Sequence, residues 1–163
     1  MAILNIIKDN EPDLRRVSKP VEHINRRITT LLDDMRETLE SAGGVGLAAP
    51  QVGILRRVFI VANIEENDNE VLELINPEII ASSGEANDTE GCLSFPGQMG
   101  YVSRPESVTI RAQNRSGEVI ILTREGLAAR AFCHEMDHLN GEIFFDKAER
   151  MLTKEEIEQL TDN

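Results

Sequence analysis

Apolar positions change period several times along this chain. Ile28, Leu31, Leu32, Met35, Leu39 and Ala42 recur at helical spacing before Gly43 and Gly44 stop the pattern. A helix is therefore predicted from about Asn25 to Ala42. Short β-branched runs follow, "RRVFIVA" at 56–62 and "VLELINPEII" at 71–80, which read as strands. The polar break between them, Asn63 to Glu70, reads as a hairpin loop. "SVTIRAQ" and "EVIILT" flank "NRSG", a second hairpin signal. Helical spacing returns in "REGLAARAFCHEMDHLNG", with Thr123 as the expected N-cap and Gly141 as the stop. Leu127, Ala131, His134 and His138 fall on one face there, and Ala128, Phe132, Glu135 and Leu139 on the adjacent stripe. A short third helix begins at "TKEE", where Thr153 and Glu156 fit a capping box. Helices at both ends with strands between them predict an α+β fold with mostly antiparallel sheet. A doubly wound fold would need strands and helices in alternation.

Composition narrows this picture. The chain has 163 residues, enough for one domain with a core of its own, and no linker or repeat divides 1–163. No apolar run approaches the roughly 18 residues of a membrane span. "MAILNIIKDNEPDLRR" has neither a basic start nor a cleavage site and reads as mature sequence. Two cysteines, Cys92 and Cys133, imply no disulfide framework, so a reducing, cytoplasmic setting is expected. The net charge of −12 repels phosphate backbones and excludes general nucleic-acid binding.

Candidate chemistry concentrates in "CHEMDHLNG", which holds two of the three histidines. On a helix, His134 and His138 aim at one point, and Glu135 lies beside that face, placed to act on water rather than to ligate. Two unpaired imidazoles on a buried apolar stripe would be costly, which favours a metal site over chance. A catalytic site needs a third protein ligand. Spacing leaves two kinds of candidate: Glu155, Glu156 or Glu158 downstream, as in one class of metalloproteases, or Cys92 in "EGCLSFPG". A closed, structural metal site would need a fourth ligand, and Cys133 and His23 are poorly placed for it.

"GVGLAAPQ" at 44–51, "EGCLS" at 90–94 and "HEMDH" at 134–138 together resemble the peptide deformylase family, in its motif order and near its spacing. "ILNIIKDNEPDLRRVSKPV" and "YVSRPESVTIRAQNRSG" are similar to it too, so the resemblance spans essentially the whole chain. It implies antiparallel sheets packed around the helix that carries HEMDH, and removal of the formyl group from N-formylmethionine at the start of new proteins. It implies metal ligation by Cys92, His134 and His138, acid/base work by Glu135, and oxyanion donors in the Gln51 side-chain amide and the Leu93 backbone N–H. The implied cofactor is one divalent ion, ferrous iron, with nickel, cobalt or zinc able to replace it. The implied partners are N-formylmethionyl peptides of nascent chains.

The substrate peptide is expected to add as a strand along Val45 and Gly46 and the segment after Cys92. Its methionine side chain would enter a pocket of Val45, Leu127 and Ala131, with the stem of Arg130 on the rim. Cys133 stands where the family often has glutamine, and a packing role is expected. Asp137 is expected to pair with Arg104, and His23 to lie on the surface. Some deformylases carry a longer basic C-terminal helix that docks on the ribosome; "TKEEIEQLTDN" is short and acidic, so only weak ribosome association is expected.

Overall fold

A computed structural model describes residues 2–62 and 70–161. The predicted loop at 63–70 thus lies almost wholly outside the described residues. Among these described residues, three α-helices, α1 (Arg26–Ala42), α2 (Gly126–Leu139) and α3 (Lys154–Thr161), accompany eight strands. These are β1 (Gly46–Ala48), β2 (Val58–Ala62), β3 (Val71–Ser83), β4 (Ala86–Cys92), β5 (Phe95–Arg104), β6 (Ser107–Gln113), β7 (Val119–Glu125) and β8 (Ala148–Met151). They form a five-stranded sheet in the order β1-β2-β3-β6-β7 and a three-stranded sheet β4-β5-β8. Every pairing between them is antiparallel.

The five-stranded sheet is buried on both faces where it meets the helices. Along β2 the side chains alternate: Val58 and Ile60 pack with Ile28, Leu31, Leu32 and Met35 of α1, whereas Phe59 and Val61 pack with Ala129, Phe132 and Met136 of α2. Burying one such large side chain stabilises the fold by about 1.5–3 kcal/mol. A third cluster of Leu14, Phe95, Val102, Ile143 and Phe144 seats the smaller sheet against the N-terminal segment.

The first helix ends as its sequence predicts. The Asn25 side chain caps the Ile28 N–H at 3.3 Å, and Gly43 closes the helix at φ 70°. Ala42, expected on the apolar face, is exposed, and Thr38 is buried instead. It accepts the Leu4 N–H at 2.8 Å and so ties down the N-terminal segment.

The HEMDH helix starts two residues later than predicted, with Glu125 and not Thr123 at the N-cap. Thr123 is no cap: it pairs with Thr109 across the sheet, and β7 runs on to Glu125 because β6 still satisfies its backbone. Gly126, at φ 61°, then turns the chain into α2. Every residue from Ala128 to Leu139 is buried, as expected of a helix enclosed on all sides.

Four strands lay hidden in the sequence. β4, β5 and β8 carry Gly, Pro and charged residues that obscure a strand pattern. The "GVGLAAPQ" stretch is not simply a loop: Gly46–Ala48 pairs with β2, and a 3₁₀ turn over Ala49–Val52 follows. The predicted capping box on α3 forms, with Thr153 and Glu156 exchanging bonds of 3.1 and 3.2 Å. No helix among the described residues is long and apolar enough to cross a membrane.

Candidate active site

Three elements meet at one point. α2 presents His134 and His138 one turn apart, and Cys92 comes from the end of β4, where the pairing with β5 breaks register. The donor atoms of Cys92, His134 and His138 all lie within 4.8 Å of one another, the one such group among the described residues. The two Nε2 atoms are 3.2 Å apart, and the Cys92 Sγ is 3.3 Å from the His138 Nε2. Nitrogen and sulfur donors on one tetrahedral ion stand roughly 3.3–3.6 Å apart, so the cluster fits a metal with little adjustment. Two imidazole nitrogens facing each other in a buried site otherwise share at most one proton.

Glu90 holds this arrangement from behind. Its Oε2 meets the His134 Nδ1 at 2.7 Å, which keeps the proton on Nδ1 and turns the Nε2 lone pair toward Cys92. The same carboxylate accepts from Arg104 Nε at 3.1 Å, Arg104 Nη2 at 2.7 Å and Arg130 Nη1 at 3.1 Å. Burial would raise the Glu90 pKa, but the bonds from His134 and Arg104 outweigh it and hold it at about 2. Arg104 also donates to Asp137 at 2.7 Å, the pairing expected from the sequence, and Lys147 caps Asp137 at 2.8 Å. Burial opposes charge on His134, yet Glu135, Cys92 and Glu90 around it raise its pKa well above the usual value. Burial and that neighbouring charge push His138 well below. A divalent ion held by these donors would compete for the same lone pairs and displace the shared proton.

Glu135 is buried beside the cluster and stays out of it. Burial pushes its carboxyl up to about 7, within the range where one group can both accept and return a proton near neutral pH. Its seat depends on Gly46, where a Cβ would stand 2.6 Å from the Glu135 Oε2. Gln51 is buried too: its Oε1 accepts the Ala48 N–H at 2.9 Å, while its Nε2 lies 3.1 Å from the Ser94 Oγ and 3.5 Å from the Cys92 Sγ.

A cleft of about 380 Å³ opens onto this group. Val45, Gly46, Gln51, Leu93, Leu127, Ala131, His134 and Glu135 all line it. Leu127 stands at the rim, 54% exposed. Arg130 also lines the cleft. Its guanidinium is buried and donates to Glu90, to the Val102 carbonyl at 2.8 Å and to the Ala86 carbonyl at 2.9 Å. Cys133 is buried in the core, where burial raises its thiol pKa, in keeping with a packing role. His23 is exposed. The downstream glutamates do not join the site: Glu155 and Glu158 are exposed on α3, and Glu156 pairs with Arg150 at 2.7 Å. Sequence reasoning assigned no task to Glu90. The available signal was its place in "EGCLS", two residues before Cys92.

A cysteine sulfur and two imidazoles beside a buried carboxylate, facing an open cleft in an α+β scaffold, define a metal-dependent hydrolase. A model of the polypeptide deformylase family matches residues 3–154, and the chain belongs to that family. It is an enzyme that removes the N-formyl group from newly made peptides. A peptide deformylase from Acetivibrio thermocellus is 50% identical over all of this chain and 94% of its own length. One from Alkaliphilus metalliredigens is 54% identical over 90% of this chain and 97% of its own. Among solved structures, a Legionella pneumophila peptide deformylase superposes with a TM-score of 0.86 at 37% identity, covering 99% of each chain. An actinonin-bound Acinetobacter baumannii peptide deformylase gives 0.84 at 35% identity, over 91% of this chain and all of that one.

Proposed function

We propose that Cys92, His134 and His138 hold one divalent ion and that Glu135, Gln51 and Leu93 carry out deformylation beside it. The observation that carries this assignment is the convergence of three donors within 4.8 Å at the edge of a cleft that Glu135 also lines. Held by those three residues, the ion would supply Lewis acidity and ease deprotonation of water near neutral pH. Glu135 takes the proton from the attacking water and holds it on its carboxylate. The Gln51 Nε2 and the Leu93 N–H donate to the oxyanion as the formyl carbon becomes tetrahedral. Glu135 then passes the proton to the departing nitrogen, the C–N bond breaks, and formate and a free methionine amine leave.

The substrates in this reading are N-formylmethionyl peptides of nascent chains, with methionine seated against Val45, Leu127 and Ala131. β1 is an edge strand of its sheet, so the backbone at Val45 and Gly46 is placed to accept an extended peptide as a neighbour. A related peptide deformylase structure from Acinetobacter baumannii is bound to Met-Ala-Ser. The donor set accepts several divalent ions, and we assign ferrous iron, with nickel, cobalt or zinc able to substitute. Residues 1–163 form one catalytic domain in this reading, which works in the cytoplasm. Its hold on the ribosome is weak, because α3 carries Glu155, Glu156 and Glu158 against a single lysine.

The deciding experiment is an anaerobic assay of iron- and nickel-loaded protein on formylated and unformylated Met-peptides, with metal analysis of protein purified without air. Formate release with every peptide bond intact is expected. Peptide-bond cleavage without formate would replace this reading with a metalloprotease.

A further inference from the structure

Arg130 sits one helical turn before His134 on α2, so both side chains project from the same face. The sequence places the stem of Arg130 on the rim of the methionine pocket. The structure separates stem from head. The residue lines the cleft, yet its side chain is only 8% exposed and its head is turned inward. Three bonds fix that head: Nη1 to the Glu90 Oε1 at 3.1 Å, Nη1 to the Val102 carbonyl at 2.8 Å, and Nη2 to the Ala86 carbonyl at 2.9 Å. Two of these partners lie on β4 and one on β5, so one α2 side chain bridges the helix to the smaller sheet. That sheet is the one that delivers Cys92.

Each Glu90 oxygen receives two donors. Oε2 takes His134 Nδ1 and Arg104 Nη2, and Oε1 takes Arg104 Nε and Arg130 Nη1. Arg104 alone could hold Glu90 as a fork, but a fork leaves the carboxylate free to rock about the axis through the pair. A second guanidinium, anchored independently to two backbone carbonyls, removes that freedom. The carboxylate whose orientation is fixed in this way is the one that sets the tautomer and ring angle of His134.

We propose that Arg130 is a positioning residue for the metal ligand His134, acting through Glu90, while its apolar stem serves as part of the cleft wall. The inference rests on the assignment of His134 as a ligand. Outer partners of a metal-bound histidine typically change metal affinity or activity by roughly 10–100-fold when lost.

Arg130→Met keeps an unbranched apolar stem and removes the donors. The test loads wild type, Arg130→Met, Glu90→Gln and the double variant with cobalt and measures metal affinity by competition with a chelator, together with the visible cobalt spectrum. Affinity in Arg130→Met should fall by roughly 10–100-fold, with an altered spectrum, reduced kcat and little change in KM. The double variant should bind cobalt no more weakly than Glu90→Gln alone, since both changes act on one contact. Full additivity, or a wild-type spectrum and affinity in Arg130→Met, would overturn the proposal. If Arg130→Met does not fold, Arg130→Leu serves: it too keeps an apolar stem and no donor, and an affinity equal to wild type would equally count against the idea. A wild-type protein that failed to hold cobalt would instead refute the ligand assignment itself.

Discussion

Gly46→Ala isolates the position of Glu135 from its chemistry. Gly46 does not need a left-handed backbone, because its φ is not positive, so alanine is acceptable to β1 itself. The added Cβ, however, would stand 2.6 Å from the Glu135 Oε2, 3.1 Å from its Cδ and 3.2 Å from its Cγ. Ordinary van der Waals contact begins at 3.4 Å, so the carboxylate must retreat by about 0.8 Å. Glu135 Oε1 is buried with no hydrogen-bond partner, so no bond at that oxygen resists the retreat and global stability should change little. Catalysis should respond strongly, since a misplacement near 1 Å can cost about 10²-fold. We expect kcat for formate release to fall roughly 10–100-fold, with metal content and melting temperature near those of wild type. Turnover equal to wild type would refute the claim that Gly46 fixes the working position of Glu135. A change confined to KM would make Gly46 a substrate contact instead.

Glu135→Gln should retain its metal and lose about 10²–10⁴-fold in kcat, read by metal analysis beside formate kinetics; a metal-free variant would make Glu135 a ligand. Cys92→Ala should lose both metal and activity, because a methyl group cannot donate. Glu155→Gln, on the exposed face of α3, should keep both, with stability within about 0.5 kcal/mol; metal loss there with retention in Cys92→Ala would reverse the ligand assignment. Away from the site, Glu73 accepts from Arg36 at 2.7 Å and from Arg115 at 2.8 and 2.6 Å, with Asp33 sharing Arg115. Burial would raise its carboxyl, but Arg115 and Arg36 outweigh burial and lower it below the ordinary 4.5. A depressed folded pKa gives stability that is present above the ordinary value and disappears as pH falls through the folded one. Glu73→Gln should therefore destabilise by roughly 1.5–3 kcal/mol at pH 7 and progressively less below pH 4.5, as read by urea unfolding. A pH-independent difference would remove charge from the explanation.

The sequence by itself determined the parts that depend on near neighbours. The apolar period of 28–39 with its Asn25 cap, the "NRSG" hairpin, the Thr153–Glu156 box and the i, i+4 placement of His134 and His138 follow from local geometry, and the structure has each of them. The three family motifs carried the activity as well, because each preserves a short run of residues whose order is visible in one dimension. What spacing left open was decided by tertiary structure. Whether Cys92 or a downstream glutamate stands beside the histidines depends on β4 reaching α2 while α3 turns outward, and sequence distance carries no record of that. Thr123 could be a helix cap or a strand residue until β6 was seen to pair with it. The spacing puts Arg130 on the His134 face at the cleft rim; only the β4–β5 sheet folded over α2 supplies the buried carboxylate and carbonyls that draw its head inward. Local propensity is set by a residue's own turn or strand, whereas the partners of a buried charge come from wherever the chain returns.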